Sequence, residues 1–311
     1  MNLQPKKSEQ SKNKQFIVND LDSLQKEFYK TYDPDYWLYK ISLLKNCHDN
    51  FDSIKDTLND DLSDVVDANY KRALRTEMHF LYFQMVETLF EIIFAVSKHD
   101  NRNLWLALTF SNWKDNYNEI VKLSETSYLF TNKIKTTISG NEVEIPLLRW
   151  IFYFVYPSKM TEDEWKNNLD KIKRLLLLFA KDFSDRGEYN AYKHSLRFYN
   201  SSFAMSIGLT GSQQMHTIGV SNDSITYLEE QRKEQKGTGR ILRTTKPFDF
   251  ERDCNCCLVI YSMIKNIIST RKYSILTELH GKSFDFSTFS DIDINKVAIP
   301  KTGVTKSSFT V

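Results

Sequence analysis

Glycine and proline are scarce, with 9 and 6 in 311 residues. A sandwich or propeller needs many tight turns, and a nucleotide-binding α/β fold needs a glycine-rich loop after a strand-like run; neither pattern fits this chain. Cysteine is also sparse. Of the 4 thiols, Cys254, Cys256 and Cys257 crowd into one short stretch that cannot form a disulfide framework and lacks the second ligand pair of a zinc site. Small buried thiols at the start of a helix account for them, and a reducing compartment is expected. Charge of one sign is missing too: 42 basic residues offset 40 acidic ones to a formal net charge of +2, so any nucleic-acid contact must be local. Met1 to Lys14 has no apolar segment of a secretory signal, and the apolar run around Leu175 to Ala180 is too short to span a bilayer. A cytoplasmic chain with no membrane partner is expected.

What is abundant is apolar residues at helical spacing. Hydrophobic residues make up 41% and aromatics 14%, ample for a substantial core. Residues 1–16 are polar and read as a disordered tail. A short helix is expected over Asp20–Tyr29, and Trp37, Ile41, Leu44, Phe51, Ile54 and Leu58 lay one stripe on a helix from Pro34 to about Asn59. The longest pattern, Ser63 to Ser97, is apolar almost all round from Met78 to Val96, as a central helix would be. Further helices are expected over about Asn103–Ser124, Pro146–Tyr156, from the Thr161/Glu164 capping box onward, over Tyr189–Ser201, and over about Asp249–Leu279. Two β-rich runs flank Ser139-Gly140-Asn141. The inserted stretch 203–247 carries strand patterns at Ser224–Gln231 and Arg240–Thr245, with a third near Thr217–Val220. The expected fold is therefore mainly α: a multi-helix bundle over 17–280 with a small inserted β-hairpin and a flexible tail over 281–311.

Two polar strips carry the candidate chemistry. On a helix, Asn190, His194, Arg197 and Ser201 fall within a sector about 60° wide, away from Ala191, Tyr192, Leu196, Phe198 and Tyr199. On the central helix, Glu77, Gln84, Glu87 and Glu91 occupy a sector about 80° wide. If the strips met, Glu87 or Glu91 would fix the imidazole's tautomer and prepare an acid/base site, or the two strips would form a buried structural ion network; if not, both simply face water. A carboxylate-bridged metal site needs Glu-x-x-His pairs, and Glu77-Met78-His79 does not supply one. His48, His79, His99, His216 and His280 read as isolated. No metal or other cofactor is expected.

The inserted hairpin holds Arg232, Lys233, Lys236, Arg240, Arg243 and Lys246 against Glu229, Glu230 and Glu234. Basic strands near Tyr227 could hold a single-stranded backbone, or form a solubilising edge ribbon. No nucleophile elbow, phosphate loop, kinase signature or His-Glu-x-x-His motif occurs.

The segment around Asn190 and His194 resembles the core motif of the HEPN superfamily, helical bundles that include RNA-cleaving toxins and phage-defence proteins, in which an Arg, often followed by Asn, precedes a His by a few residues. Here Tyr189 holds the usual Arg position, Arg186 lies one residue beyond the usual spacing and Arg197 follows the His by three. The run Tyr189 to Arg197, with Lys193 inside it, also resembles a segment of uncharacterised bacterial proteins. The HEPN resemblance implies metal-independent RNA cleavage or RNA binding, with His194 as base or acid, Arg197 or Arg186 stabilising charge, and a homodimer whose interface holds the site. The alternative expectation is a non-catalytic interaction module that presents its hairpin to a protein partner.

Overall fold

The computed structural model describes residues 21–55, 67–97, 103–138, 140–154, 160–194, 197–208, 215–231, 240–280, 286–297 and 305–310. The architecture is mainly α with small antiparallel β elements. Helix α1 (Leu21–Thr31) precedes α2 (Asp35–Asp49), and the helix expected to continue to Asn59 is instead broken at Asn50, which separates α2 from the single turn α3 (Phe51–Ile54). The central rod is α4 (Asp67–Ser97). The helix expected over Asn103–Ser124 is two, α5 (Leu104–Thr109) and α6 (Trp113–Thr126), because Asn112 turns extended and its side chain accepts from Lys114 N, capping a new start. Strands β1 (Lys133–Ile138) and β2 (Asn141–Pro146) form a two-stranded hairpin, followed by α7 (Leu147–Tyr153) and α8 (Glu162–Ser184). The capping box at the start of α8 is complete: Glu164 N donates to Thr161 Oγ1 at 3.3 Å and Thr161 N to Glu164 Oε2 at 2.7 Å.

The helix expected over Tyr189–Ser201 is corrected. Helix α9 (Gly187–Lys193) stops at His194, and Phe198 opens β3 (Phe198–Gly208). The strand is favoured because it finds a ladder partner in β4 (Met215–Gln231) and because Phe198, from an extended backbone, sets its ring edge-on to Phe80 of α4 at 5.1 Å. Strand β5 (Arg240–Pro247) pairs with β4, the stretch near Thr217–Val220 being part of β4 rather than a separate strand. After α10 (Phe250–Ile275) the chain does not trail away, which corrects the tail expected over 281–311. Phe289 and Val297 are buried, α11 (Ile294–Val297) lies against α10, and β6 (Thr305–Thr310) joins β5 to complete a four-stranded antiparallel sheet of order β3-β4-β5-β6. The polar stretch 1–16 lies outside the described residues.

The core sits where α4 meets α2, α8 and α10. By length and composition alone α4 could cross a membrane, which the shorter run at Leu175–Ala180 did not suggest; 61% of its apolar window is buried against the rest of the protein. That is the burial expected of a central helix. Arg271 of α10 donates to the Ile151 and Trp150 carbonyls at 2.6 and 3.1 Å, tying the last turn of α7 to α10. The sheet's inner face, with Ile225, Tyr227, Leu242 and Lys246, is buried toward α9 and α4. The approach is close at Gly187, where an added Cβ would lie 2.6 Å from Tyr227 Oη and closer still to Glu229 Oε1. Gly187→Ala is therefore expected to cost about 1–3 kcal/mol by overpacking, read as a lowered denaturation midpoint at unchanged m-value. A midpoint equal to that of the wild type would mean that α9 and the sheet do not meet this tightly.

Candidate functional site

The surface corner where α9 runs into β3 carries most of the residues singled out by sequence. Tyr189 and Ala191 point inward, and Asn190, Lys193, His194 and Arg197 are exposed. With the helix ended at Lys193, Arg197 and Ser201 leave the predicted helical sector: Arg197 Nε donates to the His194 carbonyl at 3.3 Å, and Ser201 Oγ pairs with Thr226 Oγ1 at 2.8 Å on the sheet. Arg186 goes the other way. It is buried, its guanidinium 4.1 Å from the Tyr117 ring and 4.2 Å from that of Phe183, with Glu87 Oε1 at 3.9 Å. Burial lowers its pKa against the opposing pull of Glu87. It is not at the corner with His194.

The acidic strip of α4 does meet α9, through other partners than the imidazole. Glu87 accepts from Lys193 Nζ at 2.5 Å and from Tyr189 Oη at 3.0 Å, and Glu77 faces Tyr192 Oη at 3.4 Å. Among the described residues no carboxylate oxygen lies within 4.0 Å of the His194 ring, so Glu87 and Glu91 do not orient it. Burial, then the proximity of Glu87, pushes the Glu91 carboxyl above the usual range. Gln84 accepts from Lys40 Nζ of α2 at 3.2 Å. Lys40, Glu77, Gln84 and Lys193 border a groove of 340 Å³ between α2, α4 and α9, whose floor and walls are Leu43, Leu44, Phe80, Leu81, Tyr189 and Tyr192.

A second polar assembly, absent from the sequence reading, lies inside the core. His79 is buried, not isolated: its Nδ1 is 2.6 Å from Asp253 Oδ2, its Nε2 is 3.9 Å from Glu188 Oε1, and its ring stacks on Phe248 at 4.7 Å. Glu188, with 0% exposure, accepts from Lys246 Nζ at 2.9 Å, and that ammonium also reaches Asp185 Oδ1 at 2.8 Å. On the other side Arg252 bridges Asp253 and Asp182, and Tyr82 donates to Asp182 at 2.7 Å. Burial alone would lower the Lys246 pKa, but Glu188, Tyr227 and Asp185 together hold it above the ordinary lysine range. The assembly acts as a cross-link between α4, α8, α9, α10 and β5. Lys246 is thereby removed from the basic set expected to meet a phosphate backbone. The hairpin tip with Arg232, Lys233 and Lys236 lies outside the described residues.

The open face of the sheet supplies what α9 alone does not. Tyr199 and Leu228 are exposed, as is Arg243, and Arg243 Nη2 donates to Tyr199 Oη at 2.6 Å across the intervening strand. Between them Ser201, Thr226 and Thr245 form a ladder of hydroxyls spaced 2.8 and 2.7 Å apart. Cys254, Cys256 and Cys257 are buried on α10, and burial pushes the Cys254 thiol up to about 12, so it stays neutral. Among the described residues no group of three or more His, Cys, Asp or Glu side chains is placed to hold a metal ion. No protein-family model, curated protein or solved structure matches this chain.

Proposed function

We propose that this protein binds single-stranded RNA on the open sheet face and the adjoining α9–β3 corner. The observation that carries the reading is the exposed Tyr199–Arg243 pair on the sheet, two residues along the chain from exposed Arg197. An accessible phenol ring offers a base a stacking surface, an accessible guanidinium offers a phosphate a bidentate donor, and neither needs a particular base sequence. The exposed described side chains Tyr199, Leu228 and Arg243 of this face include no carboxylate to repel a backbone. Lys193, His194, Arg197 and Asn190 extend it with donors, although Lys193 is shared with Glu87. This local basic strip suits a chain whose overall charges cancel. Binding, rather than cleavage, is the reading favoured, since among the described residues no carboxylate fixes the His194 tautomer and Arg186 lies buried away from it.

Fluorescence anisotropy with a labelled oligouridylate tests this. Tyr199→Ala is expected to weaken binding by about tenfold through lost stacking, and Arg243→Ala to reduce the magnitude of the salt slope by about 1. Both residues are exposed, so both variants should keep the wild-type melting temperature. Absence of binding at 50 mM salt, or affinities unmoved by either substitution, would end the proposal. Cleavage of the oligomer that disappears with His194→Ala would move the reading from binder to nuclease.

A further inference from the structure

The groove between α2, α4 and α9 is lined by apolar side chains together with Lys40, Glu77, Gln84 and Lys193, and among the described residues Glu77 makes no ion pair within 4.0 Å. Lys193 is already held by Glu87 at 2.5 Å, and the Lys40 ammonium is held by Gln84 at 3.2 Å and lies 5.6 Å from the Tyr36 and Trp37 ring centres. Glu77 differs. It is solvent-accessible at the rim, it has only the Tyr192 phenol at 3.4 Å, and among the described residues no ammonium or guanidinium lies within 4.0 Å of it. The walls still desolvate it enough to raise its pKa, with Tyr192 and Lys40 opposing. Below it Tyr192 stacks on Phe80 at 4.0 Å, and Leu43, Leu44 and Leu81 continue the apolar surface. The volume, 340 Å³, lies in the range of small-molecule sites.

We infer that this groove binds a small organic monocation, an ammonium carried on an aryl or alkyl body, with the ammonium on Glu77 and the Tyr192 ring and the body against Leu43, Leu44 and Leu81. An anion would meet a carboxylate that repels it, and of the two ammonium groups at the groove Lys193 is already ion-paired with Glu87 while Lys40 lies toward Gln84 and the Tyr36 and Trp37 rings. A neutral ligand would leave Glu77 as it is. The ammonium gains a charge-assisted hydrogen bond and an aromatic face at once.

Three near-isosteric probes separate these cases: 2-phenylethylamine, 2-phenylethanol and 3-phenylpropionate, each titrated into the full chain by calorimetry at pH 7. The amine is expected to bind at least tenfold more tightly than either other probe. Glu77→Gln should abolish that preference while leaving the unliganded melting temperature in place. Leu43→Arg, at an exposed wall position, should block the amine by bulk and like charge, and keeps the proposal testable if Glu77→Gln perturbs folding. Equal affinity for amine and alcohol, an amine preference that survives Glu77→Gln, binding unaffected by Leu43→Arg, or no heat from the amine at 10 mM would each overturn it. None of these outcomes depends on the RNA measurements, which substitute Tyr199 and Arg243, residues outside the lining of the groove.

Discussion

Lys246→Met is expected to destabilise the protein by about 3–5 kcal/mol near pH 8, because it removes the cation from a carboxylate that no water reaches. Glu188 is fully buried, and Lys246, itself 3% exposed, is its ion-pair partner at 2.9 Å. Methionine fills most of the lysine stem's volume, so the loss should come from the stranded charge more than from a cavity. The pH dependence gives the cause away. In the wild type the ammonium's pKa is raised on folding, so the pair contributes fully below an unfolded lysine's pKa of about 10.4 and fades only as pH climbs through the folded value. In the variant the buried Glu188 carboxyl, deprived of its ammonium, is drawn toward its neutral form, which raises its folded pKa. Its penalty is then largest above that pKa and is relieved as pH falls. Urea unfolding of the variant at pH 8 and pH 5 should therefore show the deficit against wild type narrowing in acid. Adding Glu188→Gln to Lys246→Met should recover much of the loss at pH 8. A variant within about 1 kcal/mol of wild type at pH 8, well below the cost of breaking a buried pair, would mean that Glu188 is hydrated or otherwise paired.

The elements legible in the sequence were those whose burial repeats along one helix. Trp37 and Ile41 in α2, the apolar run of α4, and the capping box with Ile172, Leu176 and Phe179 in α8 all announce themselves by spacing. What could not be read is decided by a partner far along the chain. Phe198 to Ser201 continue the helical pattern of Tyr189 to Lys193, and only the presence of Tyr227, Thr226 and Ser224 on β4 makes them a strand. The same holds for β6, a polar run that becomes a strand because β5 offers it an edge.

The polar residues follow the same rule. The strip Glu77, Gln84, Glu87 and Glu91 was visible as a sector of α4, and it does face α9, but which α9 residues it meets depends on where that helix stops. Ending at Lys193 places Lys193 and Tyr189 on Glu87 and leaves His194 in solvent. His79 was dismissed because its neighbours in sequence offer no chemistry. Its actual neighbours, Asp253 and Glu188, lie 174 and 109 positions away. A signal was nonetheless present: a His inside the almost uniformly apolar stretch Met78 to Phe83 must be satisfied by something buried, and Asp253, flanked by Phe250 and Cys254 on a helix of the same character, is the kind of residue that would do it.

Arg252→Met is expected to be as costly as the loss of Lys246, about 3–5 kcal/mol, and to differ from it in where the structure loosens. The guanidinium holds three acceptors at once: Asp182 of α8, Asp253 beside it at 3.3 Å, and the Val297 carbonyl of α11 at 2.9 Å, while its plane lies 5.2 Å from the Tyr82 ring. Burial opposes its charge, and Tyr82, Asp182 and Asp253 more than restore it, so that it remains charged at every pH at which the protein is folded. Removing it leaves a fully buried Asp253 dependent on His79 and leaves the Val297 carbonyl of α11 with the weaker Cys256 thiol at 3.6 Å as its donor. Arg252→Lys keeps the charge and should still lose about 2–3 kcal/mol, because a compact ammonium cannot span three acceptors that a rigid fork reaches together. Hydrogen exchange distinguishes this from general destabilisation. Amides of residues 289–297 should lose protection in both variants by more than those of α4, since α11 and Phe289 are fastened to the bundle partly through this one side chain. If Arg252→Lys matches wild type in stability and in exchange over 289–297, the three-way bridge does not operate and α11 is held by the burial of Phe289 and Val297 and by the hydrogen bonds of Phe289 N to Asn168 and of Lys171 to the Ile292 carbonyl.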